Sequence, residues 1–217
     1  MNAFRMVRWL VLPAVLLPCL SCQDRGQKQP AAAPAEKKDQ GQSEKPAGGK
    51  PVVVIDTSMG QIKVELYPDK APRTVENFLK YVDDRHYDYM IFHRVKGDFM
   101  IQGGGFAPDL KEKPVRPPIP NEAANGLKNQ PGTIAMARTG DPNSATSQFF
   151  INTANNDKLD FRSPDPEGIG YAVFGKVIEG MDVVHKIANV ETETPGPEWQ
   201  WRPKQAVIIR SIRRAGS

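Results

Sequence analysis

The chain has 217 residues, of which 39% are hydrophobic and 25% charged, and this balance predicts one soluble globular domain with a packed core. The formal net charge of +4 is small and both signs are spread along the chain, so we expect no nucleic-acid partner. The only cysteines are Cys19 and Cys22, which excludes a disulfide, a thiolate metal site and a cysteine nucleophile from the rest of the chain.

Residues 1–21 have the three parts of a signal peptide. Arg5 and Arg8 form the positive start, and residues 9–17 form the apolar core. This apolar run is too short for a good transmembrane span, and prolines interrupt the segment. We therefore predict that residues 1–21 are removed during export.

The end of the signal segment resembles a bacterial lipobox, in which a small residue precedes the cysteine that is lipidated and becomes the new N-terminus. Ser21 and Cys22 fit this pattern, while Cys19 stands where a leucine is usual. The resemblance predicts lipidation at Cys22, and Gln23 after it favours the outer over the inner membrane, with the domain facing the periplasm. The alternative is an ordinary cleaved signal with an incidental cysteine.

Residues 22–50 are predicted to be a disordered linker. From position 23 onwards they contain no Val, Ile, Leu, Met, Phe, Tyr or Trp, so nothing offsets the entropy lost on folding. A tether of this kind would hold a soluble domain clear of a membrane surface. The folded domain is predicted over residues 51–217.

The domain begins with a hairpin and a helix. Residues 52–67, VVVIDTSMGQIKVELY, predict two strands joined as a hairpin at Met59-Gly60. A helix is predicted over residues 68–84, where Pro72 suits the first turn. Four apolar residues fall on one face of this helix: Val75, Phe78, Leu79 and Val82.

The remainder of the domain reads as short strands and one further helix. A helix over residues 180–190 would turn Val183, Val184 and Ile187 inward. The predicted strands are residues 91–95, 99–102, 132–137, 147–153, 171–178 and 206–212. Many short strands with only two helices favour a mainly β fold, a closed antiparallel barrel with helices covering its ends. From pattern alone, a sandwich with added helices is the alternative.

Three long motifs, in the same order, carry a resemblance to a known family. They are FHRVKGDFMIQGGGF at 92–106, GTIAMARTGDPNSATSQFFINT at 132–153 and YAVFGKVIEGMDVV at 171–184. Together they resemble the cyclophilins, the peptidyl-prolyl isomerases, and look closest to the bacterial secreted type. The resemblance implies an eight-stranded antiparallel barrel capped by two α-helices, an active site on its outer face, and neither metal nor cofactor.

The resemblance also places the family's catalytic residues on Arg94, Phe99 and Gln102. Isomerisation of an X-Pro bond breaks no covalent bond, so the reaction needs a donor aimed at the twisted amide and no nucleophile, acid or metal. Arginine suits this task because it is always charged and presents a rigid fork of N–H groups. The positions that match the family's substrate-binding residues are Met100, Ala137, Arg138, Gln148, Phe150, Leu159 and Tyr171.

Other positions are interpreted individually. Tyr171 and Lys158 stand where the better-known eukaryotic cyclophilins carry His and Trp. His93 is interpreted as structural, because strict strand alternation would turn it away from the site. Trp199 and Trp201, in a proline-rich segment, are interpreted as covering the barrel.

The predicted function is therefore peptidyl-prolyl cis-trans isomerisation in exported proteins. The expected partners are proline-containing polypeptides, and a monomer is expected. The first alternative is a module that binds proline-containing segments without turnover. The second is a structural envelope protein anchored by lipid, which would need no site at all.

Overall fold

The structure, a computed structural model, describes residues 49–216. The predicted signal peptide, Cys22 and all but the last two residues of the predicted linker lie outside the described residues. Eight strands close into a barrel in which every neighbouring pair is antiparallel. Within residues 49–216, no helix is long and apolar enough to cross a membrane.

In chain order the elements are β1 (Val52–Thr57), β2 (Gly60–Leu66), α1 (Pro72–Asp83), β3 (Met90–Lys96), β4 (Met100–Gly103), β5 (Thr133–Met136), β6 (Phe149–Asn152), β7 (Val173–Glu179), α2 (Met181–Ala188), β8 (Thr192–Glu193), β9 (Arg202–Pro203) and β10 (Val207–Arg214). Around the barrel the strands follow the order β1-β10-β3-β4-β6-β5-β7-β2. The predicted closed barrel with two helices is therefore confirmed, and the sandwich alternative is wrong. The sequence did not predict the small ribbon in which β8 pairs with β9.

Alternation along the strands divides their side chains between the barrel interior and its outer face. Ile101, Phe149 and Ile151 are fully buried and belong to the large interior cluster. Met100 and Phe150, their neighbours in sequence, belong to a separate apolar cluster. Because successive side chains of a strand point to opposite faces, this second cluster lies outside the barrel wall.

The two helices bury the faces that the sequence predicted. In α1, Phe78 is fully buried and meets Phe149 edge-to-face, with ring centroids 5.7 Å apart. The N-terminus of α1 has no side-chain cap of its own, so Glu122 supplies one from a distant loop. Its carboxylate accepts hydrogen bonds from the backbone N–H groups of Arg73 and Thr74. A negative charge at this end also suits the helix dipole.

A β-bulge interrupts β3 beside the outer apolar cluster. The pairing of β3 with β4 shifts register between Phe92 and Arg94. Phe92 and Val95 both belong to the interior cluster, so the two residues between them, His93 and Arg94, both lie on the outer side. The strict alternation that would have separated His93 from Arg94 is therefore broken here.

His93 is buried in this bulge and kept neutral. Its ring packs against Phe106 with centroids 4.8 Å apart, and 7% of the residue is exposed. Burial, and secondly the charge of Arg94, lower the pKa of His93 from 6.5 to about 4. The structural interpretation of this histidine agrees with its packing.

This pKa predicts that the protein loses stability in mild acid. The unfolded imidazole has a pKa of about 6.5, so between that value and about 4 the unfolded chain binds more protons than the folded one. The free energy of unfolding should therefore fall as the pH falls, by about 2 kcal/mol between pH 7 and pH 5 from His93 alone. Urea denaturation at the two pH values measures the change.

The control for this prediction is His93→Gln, which removes the titrating group and keeps a polar side chain. His86, whose pKa burial also lowers, remains in both proteins and cancels in the difference. The stability difference between wild type and His93→Gln should shift with pH by the predicted amount. A difference that stays constant from pH 7 to pH 5 would contradict the prediction.

Candidate functional site

Four outward-facing residues form one row across the strands β3, β4, β6 and β5. Arg94 lies opposite Gln102, Gln102 opposite Phe150, and Phe150 opposite Ala135. Residues paired directly across neighbouring strands point to the same face. The row therefore sets a charged donor, an amide and an aromatic ring side by side on the outer wall of the barrel.

A small cavity of about 120 Å³ opens over this row. Nine of the predicted site residues line it: Arg94, Phe99, Met100, Gln102, Ala137, Arg138, Phe150, Leu159 and Tyr171. The tenth, Gln148, is hydrogen-bonded to Gln102. The structure thus brings all ten together, while the role of each stays a prediction.

The floor and walls of the cavity are apolar. Met100 and Phe150 are buried, and Phe99, Leu159 and Tyr171 pack against them while staying partly exposed. The rings of Phe150 and Tyr171 meet edge-to-face, with centroids 5.8 Å apart. A cavity with these walls suits a compact apolar group better than a charged one.

Arg94 is the cationic residue at the centre of the site, and its side chain is partly buried. Its Nη1 atom lies 3.5 Å from Oε1 of Gln102, and its Cζ atom lies 5.8 Å from the centroid of the Phe99 ring. None of the ion pairs in the described part of the chain involves Arg94. Burial lowers the pKa of Arg94, yet an arginine remains charged in proteins. The guanidinium therefore keeps its charge without a carboxylate partner among residues 49–216.

A second amide fixes the orientation of Gln102. The Nε2 atom of Gln102 donates to Oε1 of Gln148 at 2.9 Å, which leaves Oε1 of Gln102 facing Arg94. Gly105 makes room for this arrangement, because a Cβ atom there would lie 2.5 Å from Nε2 of Gln148. The motif at residues 92–106 therefore contains both Gln102 and Gly105, whose lack of a side chain leaves room for Gln148.

Asn156 links the turn that carries Phe99 to the 3-10 helix Asp157–Leu159. Its side-chain Nδ2 atom donates to the backbone carbonyl oxygen of Phe99 at 2.8 Å. The backbone carbonyl oxygen of Asn156 accepts the N–H of Leu159, also at 2.8 Å. Its side chain also donates to Oδ1 of the fully buried Asn152. Sequence reasoning did not single out Asn156, because a lone asparagine in a loop has no pattern that separates it from a turn former.

Arg138 lies along one edge of the cavity in a fixed position. Its Nε atom donates to the carbonyl oxygen of Gly170 at 3.0 Å, and its Nη1 atom donates to that of Thr139 at 2.9 Å. Its Cζ atom is 4.5 Å from the centroid of the Tyr171 ring. Arg138 and Tyr171 therefore form one rigid edge, with part of the guanidinium fork left unbonded by these contacts.

Trp201 contacts Arg94, a residue of the site, whereas the sequence predicted only that it covers the barrel. Its ring centroid lies 4.9 Å from Cζ of Arg94. Trp199 instead contacts Phe106, with ring centroids 5.0 Å apart. No periodicity in the proline-rich segment distinguishes these two tryptophans, so only the folded structure shows that they have different neighbours.

Comparison with known proteins identifies relatives of this chain. The family model described as "Cyclophilin type peptidyl-prolyl cis-trans isomerase/CLD" matches residues 52–214. The chain is 54% identical over 164 residues to peptidyl-prolyl cis-trans isomerase cyp18 of Streptomyces antibioticus, covering 76% of this chain and 98% of that protein. It is 52% identical over 161 residues to peptidyl-prolyl cis-trans isomerase B of Escherichia coli, covering 74% and 98%.

A solved structure agrees with these relatives. It is a cyclophilin type peptidyl-prolyl cis-trans isomerase of Cryptosporidium parvum, crystallised in the presence of the dipeptide Ala-Pro. The TM-score is 0.64 at 28% sequence identity, and the match covers 76% of this chain and 99% of that one. With the fold, the outer-face site and these relatives in agreement, the chain belongs to the cyclophilin-type peptidyl-prolyl cis-trans isomerases.

Proposed function

We propose that the isomerase activity of this chain depends on a hydrogen bond from Arg94 to the prolyl nitrogen of a twisted X-Pro amide. The activity itself follows from membership of the family. The observation that supports this mechanism is a charged guanidinium beside an apolar cavity, with no carboxylate paired to it in the described part of the chain.

The reaction explains why such a site is sufficient. The barrier to rotation about the amide is about 18–20 kcal/mol, and it comes from the resonance that makes the C–N bond partly double. Twisting the bond destroys this resonance and leaves a lone pair on the prolyl nitrogen. A catalyst must therefore bind the twisted amide more tightly than either planar form.

In the proposed mechanism Arg94 supplies that differential binding. An N–H group of the guanidinium donates to the lone pair, which is available only when the amide is twisted. A hydrogen bond from a charged donor is stronger than one between neutral groups. The hydrogen bond is stronger still where apolar side chains exclude water, because the local dielectric constant is low.

The other residues hold the proline in place. Met100, Phe150 and Leu159, with the Phe99 ring, form the apolar wall against which the pyrrolidine ring would pack. Gln102, fixed by its amide partner, would orient Arg94 or the substrate backbone. These contacts bind planar and twisted substrate alike, so they set affinity and alignment more than the barrier.

We propose that the enzyme acts at the bacterial cell envelope on exported proteins. The signal segment and the lipobox-like Ser21-Cys22 support a lipid anchor facing the periplasm, with the outer membrane favoured by Gln23. The apolar-poor linker supports a tethered domain. A monomer would suffice, since all ten site residues come from one chain.

The first prediction from the proposed function concerns Arg94. Replacing it in Arg94→Ala should leave the fold intact and lower kcat/KM at least about tenfold, because each tenfold corresponds to about 1.4 kcal/mol of transition-state stabilisation. The measurement is the isomerisation rate of a short X-Pro peptide with the purified domain.

The matched control is Arg210→Ala, which removes an exposed cation on β10 that does not line the cavity. It should retain most of the wild-type rate. A folded Arg94→Ala protein with full activity would refute the mechanism. Failure of the wild type to accelerate isomerisation would favour the non-catalytic binding module.

The second prediction concerns the anchor. Mass spectrometry of the mature protein from cells should find residues 1–21 removed and a diacylglyceryl group on Cys22. Cys22→Ser should abolish the modification and release the domain from membranes, while Cys19→Ser should change neither. An unmodified Cys22 at the mature N-terminus, or cleavage at another bond, would contradict the prediction.

The third prediction concerns cyclosporin, the cyclic peptide that inhibits many cyclophilins. In sensitive members a Trp stands at the position of Lys158, where its ring and N–H contact the drug. Lys158 is exposed in the 3-10 helix Asp157–Leu159, and its strongly hydrated head resists burial. Loss of the indole should weaken drug binding by about 1 to 3 kcal/mol, or about five- to 150-fold, without affecting peptide turnover.

Titration of cyclosporin into the isomerase assay tests this expectation. Lys158→Trp should gain affinity, whereas Asn155→Trp, which adds the same ring at a nearby exposed position, should not. Inhibition of the wild type at nanomolar drug would show the expectation to be wrong, as would an unchanged affinity in Lys158→Trp.

A further inference from the structure

Trp201 holds a backbone conformation that tryptophan seldom adopts. Its φ angle is 55°, in the left-handed region where a bulky side chain is sterically disfavoured. Such conformations persist only where surrounding contacts enforce them, and they are concentrated at functional sites. The strained backbone at Trp201 therefore indicates that its side chain has a function.

Two hydrogen bonds and a β-ribbon fix this backbone against the strand that carries Arg94. The carbonyl oxygen of Trp201 accepts the N–H of Val95 at 2.8 Å. Its own N–H donates to Oγ1 of Thr194 at 3.2 Å. The next residue, Arg202, pairs with Glu193 across the ribbon of β8 and β9, both through the backbone register and through an ion pair.

The indole ring lies against the cationic side chains on the outer face of β3. Its centroid is 4.9 Å from Cζ of Arg94 and 5.0 Å from Nζ of Lys96. The other contacts of the Arg94 guanidinium are a longer one to the Phe99 ring and the 3.5 Å approach to Gln102. Trp201 is therefore the nearer of the two rings that flank the guanidinium.

We infer that Trp201 is a positioning residue for Arg94 in the isomerisation reaction. A carboxylate could also hold the guanidinium, but it would accept the N–H groups that the twisted amide needs and would offset their charge. An aromatic face attracts the cation through its quadrupole and leaves the N–H groups at the edge of the guanidinium plane free. This inference rests on the proposed role of Arg94 and assigns the residue that orients it.

The inference predicts a loss of turnover that depends on the aromatic face at position 201. Trp201→Leu keeps apolar bulk and should lower kcat by about five- to thirtyfold with little change in KM, which is about 1 to 2 kcal/mol of transition-state stabilisation. Trp201→Phe keeps a weaker aromatic face and should lose about threefold or less. The measurement is steady-state kinetics on an X-Pro peptide, with circular dichroism as the check on folding.

Trp199→Leu is the matched control. Trp199 lies two residues earlier and contacts Phe106 and Arg202 rather than Arg94. Its replacement should therefore leave kcat close to that of the wild type. Equal losses in Trp199→Leu and Trp201→Leu would overturn the inference, because they would indicate a general disturbance of the ribbon.

A double-mutant cycle separates positioning of Arg94 from any independent effect. In the Arg94→Ala background, Trp201→Leu should cause no further loss of kcat/KM. The same fold-loss in both backgrounds would overturn the inference, as would wild-type kcat in Trp201→Leu while Arg94→Ala is impaired. Full activity of Arg94→Ala would instead overturn the proposed mechanism and, with it, the inference that rests on it.

Discussion

The pairing register of β3, β4, β6 and β5 is the constraint on which the site depends. It sets Arg94, Gln102 and Phe150 opposite one another in a single row on the outer wall of the barrel. A slip of one residue would exchange the two faces, burying Gln102 and exposing Ile101. Each large apolar side chain inside the barrel contributes about 1.5 to 3 kcal/mol through burial, so the interior enforces the register that the outer face uses.

The chemistry of the site follows from what this row leaves unpaired. Arg94 is half-buried beside an apolar wall, and the ion pairs of the described residues do not include it. An amide and two aromatic rings contact the guanidinium instead, none of which removes its charge. A donor held in this way needs little rearrangement when the substrate twists, and such preorganisation is what electrostatic catalysis requires.

Much of this arrangement could be predicted from the sequence, because the signals are local and periodic. The eight barrel strands follow from short apolar runs bounded by turn signals, and the buried faces of both helices follow from helical spacing. The family resemblance names the ten residues that meet at the cavity, nine of them within the three contiguous motifs and Leu159 between two of those motifs. Other features depend on tertiary contacts. The bulge at His93 breaks the alternation expected of a regular strand, and the two-residue strands β8 and β9 lie in a segment without periodicity. The approach of Trp201 to Arg94 depends on that ribbon and on a left-handed backbone angle, neither of which a sequence pattern encodes.

Chemical rescue tests most directly whether one guanidinium supplies the critical hydrogen bond. An Arg94→Gly protein would be assayed on an X-Pro peptide with millimolar guanidinium chloride, and in parallel with ammonium chloride at the same ionic strength. The account predicts that guanidinium restores a measurable part of kcat/KM and that ammonium, which lacks the planar fork of donors, restores less. Equal rates with the two salts, or a rate close to that of the wild type without either, would contradict it.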